Sequence, residues 1–177
     1  MGDFLELCRN RQSCRKFSDR SVEREKLLKC VEAGQLAPSA CNSQPWSFVV
    51  AEKPDVVAEV AKCGQQMNFN GFLSGAKAFI VILEEHAVLA PPIRKIFDSQ
   101  SFAKGDLGAA TVQTCLEAAS LGLGTCIIGL YDRERLCELL GIPAGKQFGA
   151  FIAVGYPADE KIRPKDRKPL ESVARFV

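Results

Sequence analysis

Two groups of cations sit near opposite ends of this chain. Arg9, Arg11, Arg15 and Lys16 surround Ser13, and Arg163, Lys165 and Arg167 alternate along the chain before Lys168. Residues two apart in an extended segment point to the same side, so 163, 165 and 167 form a cationic row. A row of like charge repels itself unless solvent or an anion offsets it. Two readings are open. One is a solvated tail. The other is a phosphate clamp, in which guanidinium forks and an ammonium meet phosphate oxygens and Ser13 adds a hydroxyl.

A second constellation is Ala37-Pro38-Ser39-Ala40-Cys41-Asn42-Ser43-Gln44-Pro45-Trp46, directly before an apolar run. Two prolines restrict it, small residues permit close backbone approach, and Asn42 and Gln44 carry both donors and acceptors. It reads either as a helix-to-strand connection anchored by the single Trp, or as a loop that recognises a planar heteroaromatic ring. The third is Gly122-Leu123-Gly124-Thr125-Cys126-Ile127-Ile128-Gly129-Leu130-Tyr131-Asp132. It is not a dinucleotide fingerprint, because Ile127 stands where the third glycine belongs and the glycines follow a helix rather than a strand. It is either a helix stop with a buried strand, or a turn whose backbone approaches a flat ligand. No Gly-x-Ser-x-Gly occurs, no carboxylate pair has a persuasive setting, and His86, the only histidine, lies beside Glu84 and Glu85 and reads as a surface residue. Anion and ring binding without an evident acid, base or nucleophile fits an enzyme whose cofactor carries the chemistry.

The elements that must position these residues belong to one domain over 1–177. The composition, 47% hydrophobic and 25% charged, is globular, and the net charge of +2 excludes a chain built mainly to coat nucleic acid or an anionic membrane. No apolar run approaches the ~20 residues of a membrane span. The start, Met1-Gly2-Asp3-Phe4, lacks a basic stretch followed by an apolar one, and Glu6 breaks a myristoylation motif, so a cytoplasmic location is expected. Eight cysteines without a Cys-x-x-Cys pair argue for free, mostly buried thiols and against a metal site.

Asp3 caps a predicted helix to about residue 11, with Phe4, Leu5 and Cys8 on one face. Ser21 starts a second, with Leu27, Leu28 and Val31 buried, ended by Gly34 and Pro38. Strands are expected at 47–51, 78–83, 124–129 and 148–154. Helices are expected at 55–63, at 106–121, and from a capping Asp132 to Leu140, with Gly141 at its C-terminal end. The long one should be central, with Ala109, Val112, Leu116 and Ala119 toward the core. Helices mixed with about four strands give α+β or α/β.

Arg11-Gln12-Ser13-Cys14-Arg15-Lys16-Phe17, then Ala37-Pro38-Ser39 through Asn42-Ser43-Gln44-Pro45-Trp46, resembles the nitroreductase family of FMN enzymes. Gly122-Leu123-Gly124-Thr125-Cys126, Leu139-Leu140-Gly141-Ile142-Pro143, Gly155-Tyr156-Pro157 and Lys165-x-Arg167-Lys168-Pro169-Leu170 continue the resemblance in order. It implies an α+β fold, layered α/β/α, with a mixed central sheet flanked by helices. It also implies a homodimer with FMN at the subunit interface.

On this resemblance Arg11, Gln12, Ser13 and Arg15, joined by Lys165 and Arg167, contact the phosphate and ribityl end. Pro38, Ser39, Ala40 and Asn42 reach the flavin from the partner chain. Asn70, with Asn68 as its competitor, places an amide near the ring, and Ile127, Ile128 and Gly129 lie along it. The implied reaction passes electrons from NAD(P)H through FMN to a small acceptor such as a nitroaromatic or quinone, in two steps. A flavin-binding or storage protein with little turnover is the alternative, and a non-flavin module binding another phosphate compound is a third. The tail from Ser172 to Val177 is expected to add a strand to the partner's sheet. Three departures stand out. Gln12 occupies a position where Arg or His is common, Cys41 lies in the flavin loop, and the 83–106 stretch is short.

Overall fold

The computed structural model describes residues 3–66, 69–159 and 161–177. The Asp3 carboxylate accepts from the Leu5 N–H at 2.9 Å and starts α1 (Phe4–Asn10). There follow α2 (Arg24–Gln35), β1 (Trp46–Ala51), α3 (Pro54–Gly64), β2 (Ala78–Glu84), α4 (Pro91–Arg94), α5 (Ser99–Ser120), β3 (Gly124–Ile127), α6 (Arg133–Leu140), β4 (Phe148–Gly155) and the short α7 (Leu170–Val173).

The four strands form one sheet in the order β1-β2-β4-β3, every neighbour antiparallel. The parallel element of the expected mixed sheet is confined to an isolated bridge between Ser13 and Thr125, beside β3. β2 and β4 are central, which is why 78–83 reads as an unbroken apolar run: both its faces are covered. Ala78, Ile80 and Ile82, with Ala150, Ile152 and Val154, pack with Leu27 of α2 and with Leu107 and Ala110 of α5. Phe79, Val81 and Leu83, with Phe151 and Ala153, pack with Val57 and Val60 of α3 and Leu136 of α6. Alternation along the strands therefore sorts side chains into two cores, with helices on both faces of the sheet. The fold class is α+β.

Several elements differ from their expected form. α2 begins at Arg24 rather than Ser21. β3 ends at Ile127, after which the Ile128 N–H still reaches Phe151 O at 2.8 Å. α5 begins at Ser99, capped by Asp98, well before residue 106. Its first turns carry Ser, Gln, Lys and Gly, so they have no apolar period to reveal them.

The buried face of α5 is also rotated from expectation. Leu107, Ala110, Thr111, Thr114, Cys115 and Ala118 are buried, while Val112 is 54% exposed and Ala109, Leu116 and Ala119 are half-buried. The threonines can be buried because their hydroxyls donate to Leu107 O and Ala110 O, at 2.7 and 2.9 Å. Leu28 of α2 is likewise 57% exposed, its expected place taken by Cys30, and no residue of α1 is fully buried. The tail does not begin a strand at Ser172: Leu170–Val173 is a helical turn, and the extended residue is Ala174. Six cysteines are buried, Cys8 is half-buried and Cys41 is exposed. Trp46 is a core residue.

Candidate functional site

Residues 11–16 leave α1 as an extended segment along the free edge of β3. The Cys14 N–H donates to Thr125 O at 2.8 Å, and the Ser18 N–H to Tyr156 O at 2.8 Å. Gly124 is required at this edge. A Cβ there would lie 2.6 Å from Cys14 Cβ and 2.8 Å from its Sγ. The segment thus sits against β3 at a separation only glycine allows.

The edge strand gathers charge. Burial pushes the Cys126 thiol up, while Arg15, the Ser13 hydroxyl and Arg163 pull it back down. Ser13, Arg15 and Arg163 therefore converge on β3. Lys165 donates to the Arg11 main-chain oxygen. Its ammonium is pushed below the usual lysine value, first by desolvation and then by Arg11 and Arg167. Among the described residues no carboxylate forms an ion pair with Arg11, Arg15, Arg163, Lys165 or Arg167; the one ion pair in this region joins Lys16 and Asp159 at 3.9 Å. The two cation groups, about 150 residues apart in sequence, form one cluster with no ion-paired carboxylate among the described residues. That is the electrostatic setting of an anion site.

A cavity of about 930 Å3 opens beside the cluster. The 11–16 segment, Phe4 and Leu7 of α1, Leu123 after α5, and Ile162 and Arg163 of the tail contribute to its walls. The walls from α1 and the end of α5 carried no sequence signal, because Phe4 and Leu7 look like ordinary helix residues.

Asn70 adopts the left-handed conformation, φ 59°, and its Nδ2 donates to Gly64 O at 3.0 Å and to Leu130 O at 3.4 Å. It thereby joins the turn that carries Ile127, Ile128 and Gly129. Asn68 lies outside the described residues. Within that turn Ile127 is 50% exposed and Gly129 is exposed, but the Ile128 side chain is buried in the core against the α3 and α6 face. Ile128 can offer only its backbone to a ligand. The Gln12 amide faces the tail: Nε2 donates to Lys161 O at 2.8 Å, and Oε1 accepts from the Arg163 N–H at 3.2 Å and Arg163 Nε at 3.1 Å.

The loop holding Pro38, Ser39, Ala40 and Asn42 lies elsewhere. It precedes β1, the opposite edge of the sheet from β3, about 14 Å away across three strand spacings. Ser39 Oγ accepts from the Gln44 N–H at 2.9 Å, and the Ala40 N–H donates to Asp106 Oδ2 at 3.2 Å. Cys41, Asn42 and Gln44 all have positive φ, between 48° and 53°. Three consecutive-range non-glycine residues in that region mark a strained loop, of the kind found at ligand sites. One chain brings Arg11, Gln12, Ser13, Arg15, Lys165 and Arg167 together, and it keeps the 38–42 loop apart from them.

The sequence profile of the Nitroreductase family matches residues 8–156. The chain belongs to this family. It is 35% identical over 165 residues to a protein of Archaeoglobus fulgidus carrying the provisional name NADH dehydrogenase/NAD(P)H nitroreductase, covering 91% of this chain and 89% of that one. A nitroreductase family protein of Streptococcus pneumoniae superposes with a TM-score of 0.83 at 26% identity, covering 99% of this chain and 100% of the other. A provisionally named nitroreductase of Desulfovibrio desulfuricans, solved in complex with FMN, gives a TM-score of 0.76 at 27% identity, covering 100% and 98%. These likenesses place the chain in an oxidoreductase family. Among the described residues no helix is long and apolar enough to cross a membrane.

Proposed function

We propose that this chain is an FMN-dependent oxidoreductase, a single domain over 1–177 acting as a homodimer, which passes electrons from NAD(P)H to a small acceptor such as a nitroaromatic or quinone in two separate steps. The observation that carries the reading is the cluster of Arg11, Arg15, Lys165 and Arg167, which has no carboxylate partner among the described residues.

Arg11, Ser13, Arg15, Lys165 and Arg167 bind the phosphate and ribityl end, with Gln12 in the same segment. Asn70 orders the turn through Leu130, and Ile127, Gly129 and the Ile128 backbone border the ring. When bound, FMN supplies a ring that accepts a hydride from NAD(P)H and gives up electrons to the acceptor. The protein's own part is to neutralise the phosphate, hold the ring against a backbone turn, and leave one ring face open to donor and acceptor in succession.

The sheet order supports the homodimer. Pro38, Ser39, Ala40 and Asn42 sit at the β1 edge and Ser13 at the β3 edge, so a flavin touched by both sets takes one from each chain. α5 supports it too. Gly105 and Gly108 are exposed in its interior, and a Cβ on either would meet nothing within 4 Å. Each glycine there costs roughly 1 kcal/mol relative to Ala, and nothing in the same chain requires it. Close approach of a second copy supplies the reason. A cytoplasmic location accompanies the reading, since eight free cysteines fit a reducing compartment.

A visible absorption spectrum of purified protein, followed by anaerobic NADH or NADPH, tests the proposal. A flavin spectrum that bleaches faster than free FMN is expected. A flavin spectrum that persists with both donors points to flavin binding without turnover. Colourless protein that does not take up FMN overturns the reading.

A further inference from the structure

The tail is fastened to the body at one place. Apart from the short turn contact of the Lys161 N–H to Asp159 Oδ1 at 3.3 Å, every hydrogen bond between described residues 161–177 and the rest of the chain falls on Arg11, Gln12 or Ser13. Arg11 and Ser13 contribute only main-chain oxygens, accepting from Lys165 and, at 2.5 Å, from Arg163 Nη2. Of these three, Gln12 alone contributes a side chain. Its amide uses both ends, donating to Lys161 O and accepting twice from Arg163. Arg163 is thereby held by Nε and Nη2 together. No regular element lies between residue 161 and α7, and the local support of these cations among the described residues is a single bond from Arg167 Nη1 to Asp166 O at 2.6 Å.

We infer that Gln12 is a positioning residue for the phosphate end of the flavin site, acting through Arg163: the Gln12–Arg163 clip pins the tail so that Lys165 and Arg167 stand over Arg11. This deepens the proposed function and rests on that reading. A neutral amide suits the task. It can accept from a guanidinium and donate to a carbonyl at once, which neither Arg nor a carboxylate can do, and it adds no charge to a cluster that must attract an anion. With the clip gone, the tail cations remain covalently attached, but their effective concentration at the phosphate falls because the segment samples many conformations.

The test uses the full-length chain, freed of flavin and titrated separately with FMN and with riboflavin, which lacks the phosphate. Gln12→Ala, Arg163→Ala and the double variant are compared with wild type, and trypsin cleavage of the basic tail is followed in parallel. Gln12→Ala is expected to weaken FMN about tenfold, to leave riboflavin within about twofold, and to speed tail cleavage. The double variant should be no worse than the worse single one, because the two residues act as a unit. Arg163 is exposed, so Arg163→Ala carries the same comparison of the two flavins should Gln12→Ala lose its far-UV spectrum.

Failure of the functional reading has a different signature from failure of the clip. Wild type that does not prefer FMN over riboflavin overturns the phosphate site itself. Wild type that prefers FMN, with Gln12→Ala unchanged in both affinity and tail cleavage, overturns the clip alone. Equal weakening of FMN and riboflavin in the variants, or additive effects in the double variant, also overturns it.

Discussion

The Tyr156 hydroxyl donates to Glu23 Oε2 at 2.6 Å, joining the chain just beyond β4 to the residue that precedes α2. Arg20 Nη2 meets the other carboxylate oxygen at 2.7 Å, and its guanidinium carbon lies 3.9 Å from the centre of the Tyr156 ring. These partners, the Tyr156 hydroxyl first, pull the Glu23 carboxyl down to about 2. Its folded value is below its unfolded one, so its stabilisation is present above the ordinary carboxylate range near 4.5 and is lost as the pH falls toward 2. Thermal unfolding followed across that interval should show a shallower loss of Tm in Tyr156→Phe than in wild type. Equal slopes would remove Tyr156 as the cause.

The paired change Lys165→Ala/Arg167→Ala removes two cations from the cluster around Arg11. Charge-assisted hydrogen bonds contribute roughly 1.5–3 kcal/mol each, about 3–6 kcal/mol for the pair, so FMN affinity should fall about a hundredfold or more. Fewer phosphate-facing cations also mean a weaker response to salt. Titration at two ionic strengths checks both points, and wild-type affinity in the variant would refute the phosphate assignment.

Asn70 combines a positive φ with an amide that spans Gly64 and Leu130. Asn70→Gly keeps the conformation and loses the amide, whereas Asn70→Ala loses both. Asn70→Ala should therefore be the less stable of the two, costing about 1–3 kcal/mol relative to wild type. Because the amide orders the turn at Ile127–Gly129, both variants should shift the visible band of bound flavin. Denaturant midpoints and absorption spectra give the two readouts.

Gly108 lies on the exposed face of α5 with open space around it in its own chain. If a second copy packs there, Gly108→Leu breaks the dimer, and sedimentation should show monomers that bind FMN poorly. If that face is free, the same change relieves a helix-interior glycine and raises Tm with no change in mass.

The order of the main elements was legible because each had a local cause, whereas the short α4 and α7 were not expected. The unbroken run at 78–83 reads as a strand covered on both faces, and it is one. Asp3, Asp132 and Gly141 are caps whose chemistry acts within one turn, and all three sit where expected. The 106–121 helix was recognised but its buried face was not. Thr111 and Thr114 look polar in sequence, and only the backbone of their own helix makes them fit for burial. Leu28 and Val112 look like core residues, yet the chain leaves them exposed.

The motif residues were likewise visible one by one as cations, small loop residues and amides. Their grouping was not, because it depends on contacts between residues about 150 positions apart. Strand order put Ser13 against β3 and the 38–42 loop before β1 at the far edge, so what reads as one family pattern is divided in a single chain. Gln12 is the plainest case. Its type told only that an amide stood among arginines; the return of the tail past β4 decided that this amide meets Arg163. Sequence by itself determined which groups were available and which local elements carried them. Tertiary structure decided which charges share a site, since electrostatic neighbours are set by the path of the backbone through space.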